Sequence, residues 1–485
     1  MKLKLLFALI YISSTSQFCL AANFNHIKTF GFDYIDLSDD SKQAQWLAKH
    51  HDWIIGPQNG GLTVNSNLIK NAAYSEIMHA NKNAKIAAYA PYSTVFPYMS
   101  EWMEEWCREK GHNPEDLYLH YEEDVSVNST KGKMKIPGYG KGSATELSQS
   151  RVTARWWGGQ YPNINPASEV FRQAFNEYVL MLVTVKNAKN VYVHGLFLDS
   201  YNATTETSYW SRELGKTIEF RKMGISSESK AIGYMEKMLV KHSVEMEKFL
   251  KKATNQKDFV VIVNAGLAEY MYKDYPDLFV GQRDGLMNVS IEELVSSTID
   301  DRRVPYLKDI YDDLEHGRVF WIRSQTNYNS QQKTIPPAFI QGILAVHYLI
   351  NHKNAYFFYH EGSPVFYGGD ASGNLRKSHW HVNQQYDIGQ PVKHEGKDYW
   401  GMKNTDRFFI VDSDVNSVVL ARKYEKGMVL VKIPKAGRGG WDNIGKNKKK
   451  YVLEKEFKQL NEDNTLSEKI NAIELGNAEG VILIN

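Results

Sequence analysis

The chain has 485 residues, of which 42% are hydrophobic, 24% charged and 13% aromatic, with 34 glycines against 14 prolines. Such a composition excludes a disordered or collagen-like chain, and the length accommodates several average domains or one large barrel with an accessory domain. The formal charge is only +2, so no global electrostatic argument favours nucleic acid or an anionic membrane as partner.

Residues 1–21 place Lys2 and Lys4 before an apolar run, Leu5 to Ile12, and end on the small residues Cys19 and Ala21. This is the layout of a secretory signal peptide, with cleavage expected after Ala21 or Ala22. The run is too short to span a bilayer, and no later stretch reaches the roughly 18 apolar residues that a membrane helix needs. The expected location is secreted or periplasmic, in a bacterium. With the leader removed, basic and acidic side chains balance and Cys107 is the only cysteine, so no intrachain disulfide forms and stability has to come from a core.

Short strand-like runs follow, with helical patterns between them. They cover residues 30–37, 53–56, 85–90, 191–199, 259–264, 285–292, 319–323 and 355–360. Most are nearly continuously apolar, as parallel strands buried on both faces are. Residues 166–188, 229–251 and 335–350 repeat their apolar positions near a period of 3.6. Strand–helix alternation of this kind predicts an α/β fold, a (β/α)8 TIM barrel over residues 22–405. Long gaps after the third and fourth strands predict long βα insertions. Residues 121–163, polar and glycine-rich with little periodicity, are expected to ride on the C-terminal face and shape the site. From residue 406 the runs become strand-like and turn-separated, at 408–411, 415–422, 427–433, 451–453 and 480–484. Residues 406–485 are therefore expected to form a small C-terminal antiparallel β domain packed on the barrel. Lys446, Lys448, Lys449 and Lys450 read as a solvated loop.

In a barrel of this type, side chains at the C-terminal strand ends surround the substrate. The fourth strand ends Gly195-Leu196-Phe197-Leu198-Asp199, and a carboxylate directly after three large apolar residues is costly unless it meets an opening or a partner. The sixth ends Ser290-Ile291-Glu292-Glu293. Two carboxylates converging from different strands suit glycosidic cleavage, where one protonates the leaving oxygen and the other attacks the anomeric carbon or activates water. Asp199 and Glu292 are the candidate catalytic pair, with Glu293, Glu269 and Glu361 competing for the second role. Asp33, Tyr89, Tyr201, Asn264, Trp321, Arg323 and Glu361 are the candidate substrate contacts, the aromatics as apolar faces for sugar rings and Arg323 as a partner for a carboxylate or a hydroxyl. His194, mid-strand, reads as a packed and hydrogen-bonded histidine. The sequence holds no HExxH, no P-loop, no GxSxG and no dinucleotide fingerprint. One mature cysteine leaves no thiolate zinc site, and the run from Val411 to Asn416 reads as a turn rather than a calcium loop. No metal and no cofactor are expected.

The segments Phe32-Asp33-Tyr34-Ile35-Asp36, Tyr89-Ala90-Pro91-Tyr92, Gly195 to Asp199 and Asn288 to Glu293 resemble a group of glycoside-hydrolase-like TIM barrels, similar in style to the polygalactosaminidase-like barrels. The tail from Ala421 to Val431 resembles their R-x-Y-x-x-G-x-V-L-V hairpin, which opens a small C-terminal β domain. The resemblance spans roughly residues 28–435. It implies a carbohydrate-active barrel with a catalytic aspartate ending strand four, here Asp199. A carboxylate at strand six, here Glu292, matches the plan of the retaining α-galactosidase-like clan, with the strand-four aspartate as nucleophile and the strand-six acid as general acid/base. Those enzymes use Asp at strand six where this chain has Glu292. The expected function is hydrolysis of a polysaccharide or oligosaccharide. The alternatives are a carbohydrate-binding or polysaccharide-assembly protein without catalysis, and a polysaccharide lyase.

Overall fold

The structure, a computed structural model, describes residues 26–32, 41–56, 74–92, 95–129, 132–156, 159–185, 191–199, 213–263, 284–287, 314–315, 320–325, 337–360, 381–435 and 444–485. The expected leader, residues 1–21, lies outside them.

Eight parallel strands form the central sheet: β1 (Phe30–Phe32), β2 (Trp53–Ile55), β3 (Lys85–Pro91), β10 (Gly195–Asp199), β11 (Val260–Val263), β12 (Asp284–Met287), β13 (Phe320–Gln325) and β14 (Ala355–His360). They lie side by side in chain order. The sheet closes on itself, because Thr29 bridges Phe357 in parallel and the Phe357 N–H donates to the Lys28 carbonyl at 2.8 Å. This is the expected (β/α)8 barrel, and each barrel strand falls within two residues of its predicted start except the fourth. There Val191–Tyr192 (β9) turns back on Thr184–Val185 (β8) in a small hairpin. The ladder to β3 begins only after His194, whose Nδ1 accepts the Ile86 N–H at 3.1 Å. His194 is thus the packed, hydrogen-bonded residue expected, and burial lowers its pKa.

Alternation along the strands sorts two cores. Trp53, Ile55, Ala87, Tyr89, Phe197, Val260, Ile262 and Phe358 pack together inside the barrel. Their neighbours Ile54, Ile86, Ala88, Leu196, Leu198 and Val261 face outward under the helices, as a parallel strand apolar on both faces requires. Gly195 is needed in the inner layer: a Cβ there would lie 2.9 Å from the Val260 side chain and 3.3 Å from the Trp53 ring. The outer helices α1 (Ser41–His50), α2 (Pro97–Lys110), α3 (Glu169–Val183), α4 (Ile218–Lys222), α5 (Glu228–Thr254) and α6 (Pro337–Leu349) fill the gaps between strands. Cys107 on α2 is buried, and burial pushes its thiol up to about 11. Among the described residues, no helix is long and apolar enough to cross a membrane.

The insertion after β3 is more ordered than its composition suggests. It carries two hairpins, β4 (Val125–Ser129) with β5 (Gly132–Ile136), and β6 (Thr153–Trp156) with β7 (Gly159–Pro162). In the first, Val125 and Val127 face Met134 and Ile136 on one buried side; the alternation spans only two or three apolar residues per strand, too few to stand out in a window of helical length.

The C-terminal region is a six-stranded antiparallel sheet. Its strands are β15 (Phe409–Ser413), β16 (Ser417–Tyr424), β17 (Gly427–Pro434), β18 (Lys449–Leu460), β19 (Leu466–Leu475) and β20 (Gly480–Ile484), and they lie in the order β15-β16-β17-β20-β18-β19. The strand at Leu466–Leu475 goes beyond the predicted runs, because half of its residues are exposed and it has no buried residue until Ile473. Lys449 and Lys450 open β18 rather than lying in a loop, though both are exposed, and Lys449 pairs with Asp412 at 2.5 Å. Asp414 accepts the Asn416 and Ser417 N–H groups, the turn predicted there.

The C-terminal sheet docks through the R-x-Y-x-x-G hairpin. Arg422, 1% exposed, donates to the Leu349 carbonyl at 3.1 Å, to the Asn351 carbonyl at 2.5 Å and to the Asp406 carbonyl at 2.8 Å. The Tyr424 hydroxyl donates to the Tyr348 carbonyl. Together they cap the C-terminus of α6, where carbonyls lack helical partners and a cation is favoured. The motif glycine, Gly427, lets β17 approach β20: a Cβ would lie 2.0 Å from the Leu483 carbonyl oxygen.

Candidate active site

The barrel interior ends upward in Asp199. Gly195, Phe197 and Asp199 share one face of β10 by the two-residue strand period. The register sets Phe197 beside Tyr89 and Asp199 beside Pro91. Tyr89 is 7% exposed, its ring centroid 5.9 Å from that of Phe197, and its hydroxyl donates to Asp199 Oδ2 at 2.5 Å. One residue later the chain leaves the barrel: the Tyr92 N–H donates to the Asp199 carbonyl at 3.0 Å, and the Tyr92 side chain turns to the outer face.

Tyr92 is anchored on two helices. Its hydroxyl meets Nδ1 of His242 on α5 at 2.5 Å, and His242 Nε2 meets Asn176 Oδ1 on α3 at 3.2 Å. Burial lowers the His242 pKa to about 3, so the ring is neutral. The amide oxygen can only accept, which puts the ring proton on Nε2 and leaves Nδ1 to accept from Tyr92. This chain of contacts fixes the end of β3, and with it the position of Tyr89 beside the carboxylate.

Of the other candidate residues, Glu292, Asp33, Tyr201, Asn264 and Glu361 lie outside the described residues. For Trp321 and Arg323 the backbone alone is described: Trp321 is registered with Tyr356 and Arg323 with Phe358, two neighbouring levels of the β13–β14 ladder. The structure therefore brings together Asp199 and Tyr89, which a hydrogen bond joins.

A second polar constellation has no signature in the sequence. The insertion after β3 and the segment following β10 are stitched together where Tyr121 bridges Thr217, and where the Ile218 N–H donates to the His120 carbonyl at 2.8 Å. At that seam the buried His120 sits between Glu219, 2.8 Å from Nδ1, and Glu115, 3.0 Å from Nε2. Arg151 grips Glu115 with Nε at 2.9 Å and a terminal nitrogen at 2.6 Å, reaches Glu104 at 3.1 Å, and lies 4.2 Å over the Tyr118 ring. Burial alone would lower the His120 pKa, but hydrogen bonds and charge from Glu115 and Glu219 raise it. Burial likewise opposes ionisation of Glu115, yet Arg151 and His120 hold it at about 2. The cluster borders a cavity of about 620 Å³ that Glu122, Tyr139 and Asn165 also line. Both segments depart from the C-terminal ends of the strands that hold Tyr89 and Asp199. Glu219 and His120 are 99 residues apart, so no local pattern announces the cluster. Among the described residues, no group of three or more His, Cys, Asp or Glu side chains is placed to hold a metal ion.

No protein-family model matches the chain, and no curated protein matches it. Solved structures do. Eubacterium rectale Amy13B aligns with a TM-score of 0.48 and 10% identity over 95% of this chain and 96% of its own. The isomaltulose synthase SmuA from Protaminobacter rubrum gives 0.46 and 10%, over 95% and 99%. The cyclic α-maltosyl-(1→6)-maltose hydrolase from Arthrobacter globiformis, ligand-free form, gives 0.44 and 9%, over 95% and 99%. Neither an α-galactosidase nor a polygalactosaminidase is named among these three. At such values the likeness is one of general chain path, and the barrel stands on its own strand pairing.

Proposed function

We propose that the chain is a secreted or periplasmic glycoside hydrolase acting on a polysaccharide or oligosaccharide, with Asp199 as nucleophile and Glu292 as general acid/base. The observation that carries this reading is the Asp199 carboxylate at the C-terminal end of β10, on the inward face, held by the Tyr89 hydroxyl at 2.5 Å. A nucleophilic carboxylate has to be oriented toward the anomeric carbon, and a rigid phenol hydrogen-bonded to one oxygen does that. In the first step an Asp199 oxygen bonds to the anomeric carbon as the glycosidic C–O bond breaks and Glu292 protonates the departing oxygen. In the second, Glu292 takes a proton from water, which attacks the same carbon and releases Asp199. Substrate contacts from Asp33, Tyr201, Asn264, Trp321, Arg323 and Glu361 belong to the same proposal. No cofactor enters these steps.

The test is turnover of aryl glycosides and of a panel of neutral polysaccharides. Asp199→Gly is expected to abolish it, and added azide, which attacks the anomeric carbon where the carboxylate did, is expected to restore aryl release as a glycosyl azide. Wild-type turnover that survives Asp199→Gly, or no turnover of any member of the panel, overturns the reading.

A further inference from the structure

We propose that the cavity at the His120 seam is a saccharide subsite, one that holds a neutral oligosaccharide against the Tyr139 ring and the Asn165 amide. The cavity has a volume of about 620 Å³, within the range of small-molecule sites. Two features mark it besides its charged groups. The first is apolar. Among the described residues before Met402, Tyr139 at 41% and Met223 at 44% are the large apolar side chains left exposed, and both line this cavity. The second is Asn165, which is 8% exposed. Its backbone N–H donates to the Leu117 carbonyl at 2.9 Å and its Oδ1 accepts the Ala167 N–H at 3.2 Å, so the amide is held and its oxygen is occupied. Nδ2 has no hydrogen-bond partner among the described residues and keeps accessible surface, and the cavity is what Asn165 lines. A donor so nearly buried and still open to a cavity is a point at which a ligand gains a hydrogen bond.

The lining decides which chemistry fits. Its carboxylates are already paired: Glu115 with Arg151 and His120, Glu219 with His120, and Glu122 with Arg221. Neither sign of charge is therefore strongly favoured in a ligand. Nδ2 needs an acceptor, which a metal ion or an ammonium group does not offer. Glu219 takes one hydrogen bond on each oxygen from His120, at 3.0 and 2.8 Å, which fixes its plane and leaves lone pairs that need donors. A sulfate or uronate group offers none. A hydroxyl both donates and accepts, so the hydroxyls of one sugar serve Nδ2 and Glu219 together. The exposed Tyr139 ring gives the C–H face of the sugar an apolar surface, which Met223 and Ile218 extend. The choice of a saccharide among neutral polyols rests on the hydrolase reading; the cavity, its exposed ring and the open Asn165 donor do not.

The experiment uses the full chain carrying Asp199→Asn, which removes turnover, in isothermal titration. The probes are maltotetraose, cellotetraose, chitotetraose and mannotetraose, with tetragalacturonate as the anionic counterpart. At least one neutral probe is expected to bind. Asn165→Asp keeps the oxygen that accepts from Ala167 and turns the Nδ2 donor into an acceptor. Tyr139→Ala removes the ring, while the backbone N–H at that position still donates to the Tyr121 carbonyl. Either substitution is expected to remove one binding site or to weaken it roughly tenfold or more. Should Asn165→Asp fail to fold, Tyr139→Ala at the exposed rim carries the test alone. Absence of binding by all four neutral probes, the outcome when water alone meets the amide, overturns the proposal. So does binding that the folded variants leave unchanged, and so does binding of tetragalacturonate alone. An Asp199-intact chain that turns over no glycoside would defeat the hydrolase reading and leave this outcome as it stands.

Discussion

The carboxylate of Asp199 illustrates what one residue discloses by itself. A charge ending a run of large apolar side chains is expensive, so its place in the sequence is enough to mark the opening of the barrel. Its partner is less legible. Tyr89 precedes Asp199 by 110 residues, and only the strand register brings the two together. That register is a property of the closed sheet. Tyr89→Phe isolates the hydroxyl, because the ring keeps its place against Phe197. A hydrogen bond to a charged group contributes about 1.5–3 kcal/mol, which corresponds to roughly 10- to 150-fold in rate if it is felt mainly in the transition state. The expected result is a fall of that order in kcat on an aryl glycoside with KM nearly unchanged and circular dichroism unaltered. A loss confined to KM would mean that the tyrosine binds sugar and does not position the carboxylate.

Among the elements, the barrel strands are the readable ones because burial on both faces leaves short, continuous apolar runs such as Val260–Val263. The insertion hairpins and the strand at Leu466–Leu475 are not, since they are two-residue patterns of low hydrophobicity. The seam at His120 is hidden for a different reason: it is held by charges from four separate segments. Its pH response follows from the directions of two shifts. Glu115, held at about 2 against an ordinary value of 4.5, contributes stability above pH 4.5 that is lost as the pH falls toward 2. His120, raised above its ordinary 6.5, contributes stability below pH 6.5 that is lost as the pH rises through its folded value. Both contributions are complete between those limits. Glu219, Arg151 and Glu104 are the other charged groups around His120, Arg221 pairs with Glu122 and Glu123 across the same seam, and both arginines stay ionised throughout. Amide exchange, corrected for intrinsic rates, is therefore expected to show residues 118–122 and 217–221 better protected near about pH 5.5 than near about pH 8.5. His120→Asn is expected to remove the difference. Equal protection at both values in the unmodified chain would mean that the charge on His120 does not hold the seam, which then rests on the backbone bridges and the Arg221 ion pairs.

At the scale of the whole molecule, the C-terminal motif behind the family resemblance has a structural explanation. Arg422 and Tyr424 of the C-terminal hairpin end the last turn of α6, and Tyr348 on that turn donates to the Asn383 carbonyl at 2.7 Å and the Tyr386 carbonyl at 2.9 Å in the connecting segment. The hairpin residues therefore account for how the sheet is attached, and they carry no information about chemistry inside the barrel. It also follows that the barrel is incomplete without the sheet. Remove the hairpin and the carbonyls of Tyr348, Leu349 and Asn351 lose buried partners, while the apolar face made by Val418, Leu420, Val429 and Val431 loses α6. Arg422→Met keeps most of the side-chain volume but strips three carbonyls of their donor, and is expected to destabilise by on the order of 3 kcal/mol. If barrel and sheet are one cooperative unit, that loss appears in both at once. Tryptophan emission, which reports chiefly on the barrel through Trp46, Trp53, Trp102 and Trp106, and far-ultraviolet circular dichroism, which includes the sheet, are then expected to give coincident urea transitions in the parent chain and coincident, lower ones in Arg422→Met. Transitions that separate in the parent chain would show two units that merely touch, and would return Arg422 to the role of a local cap.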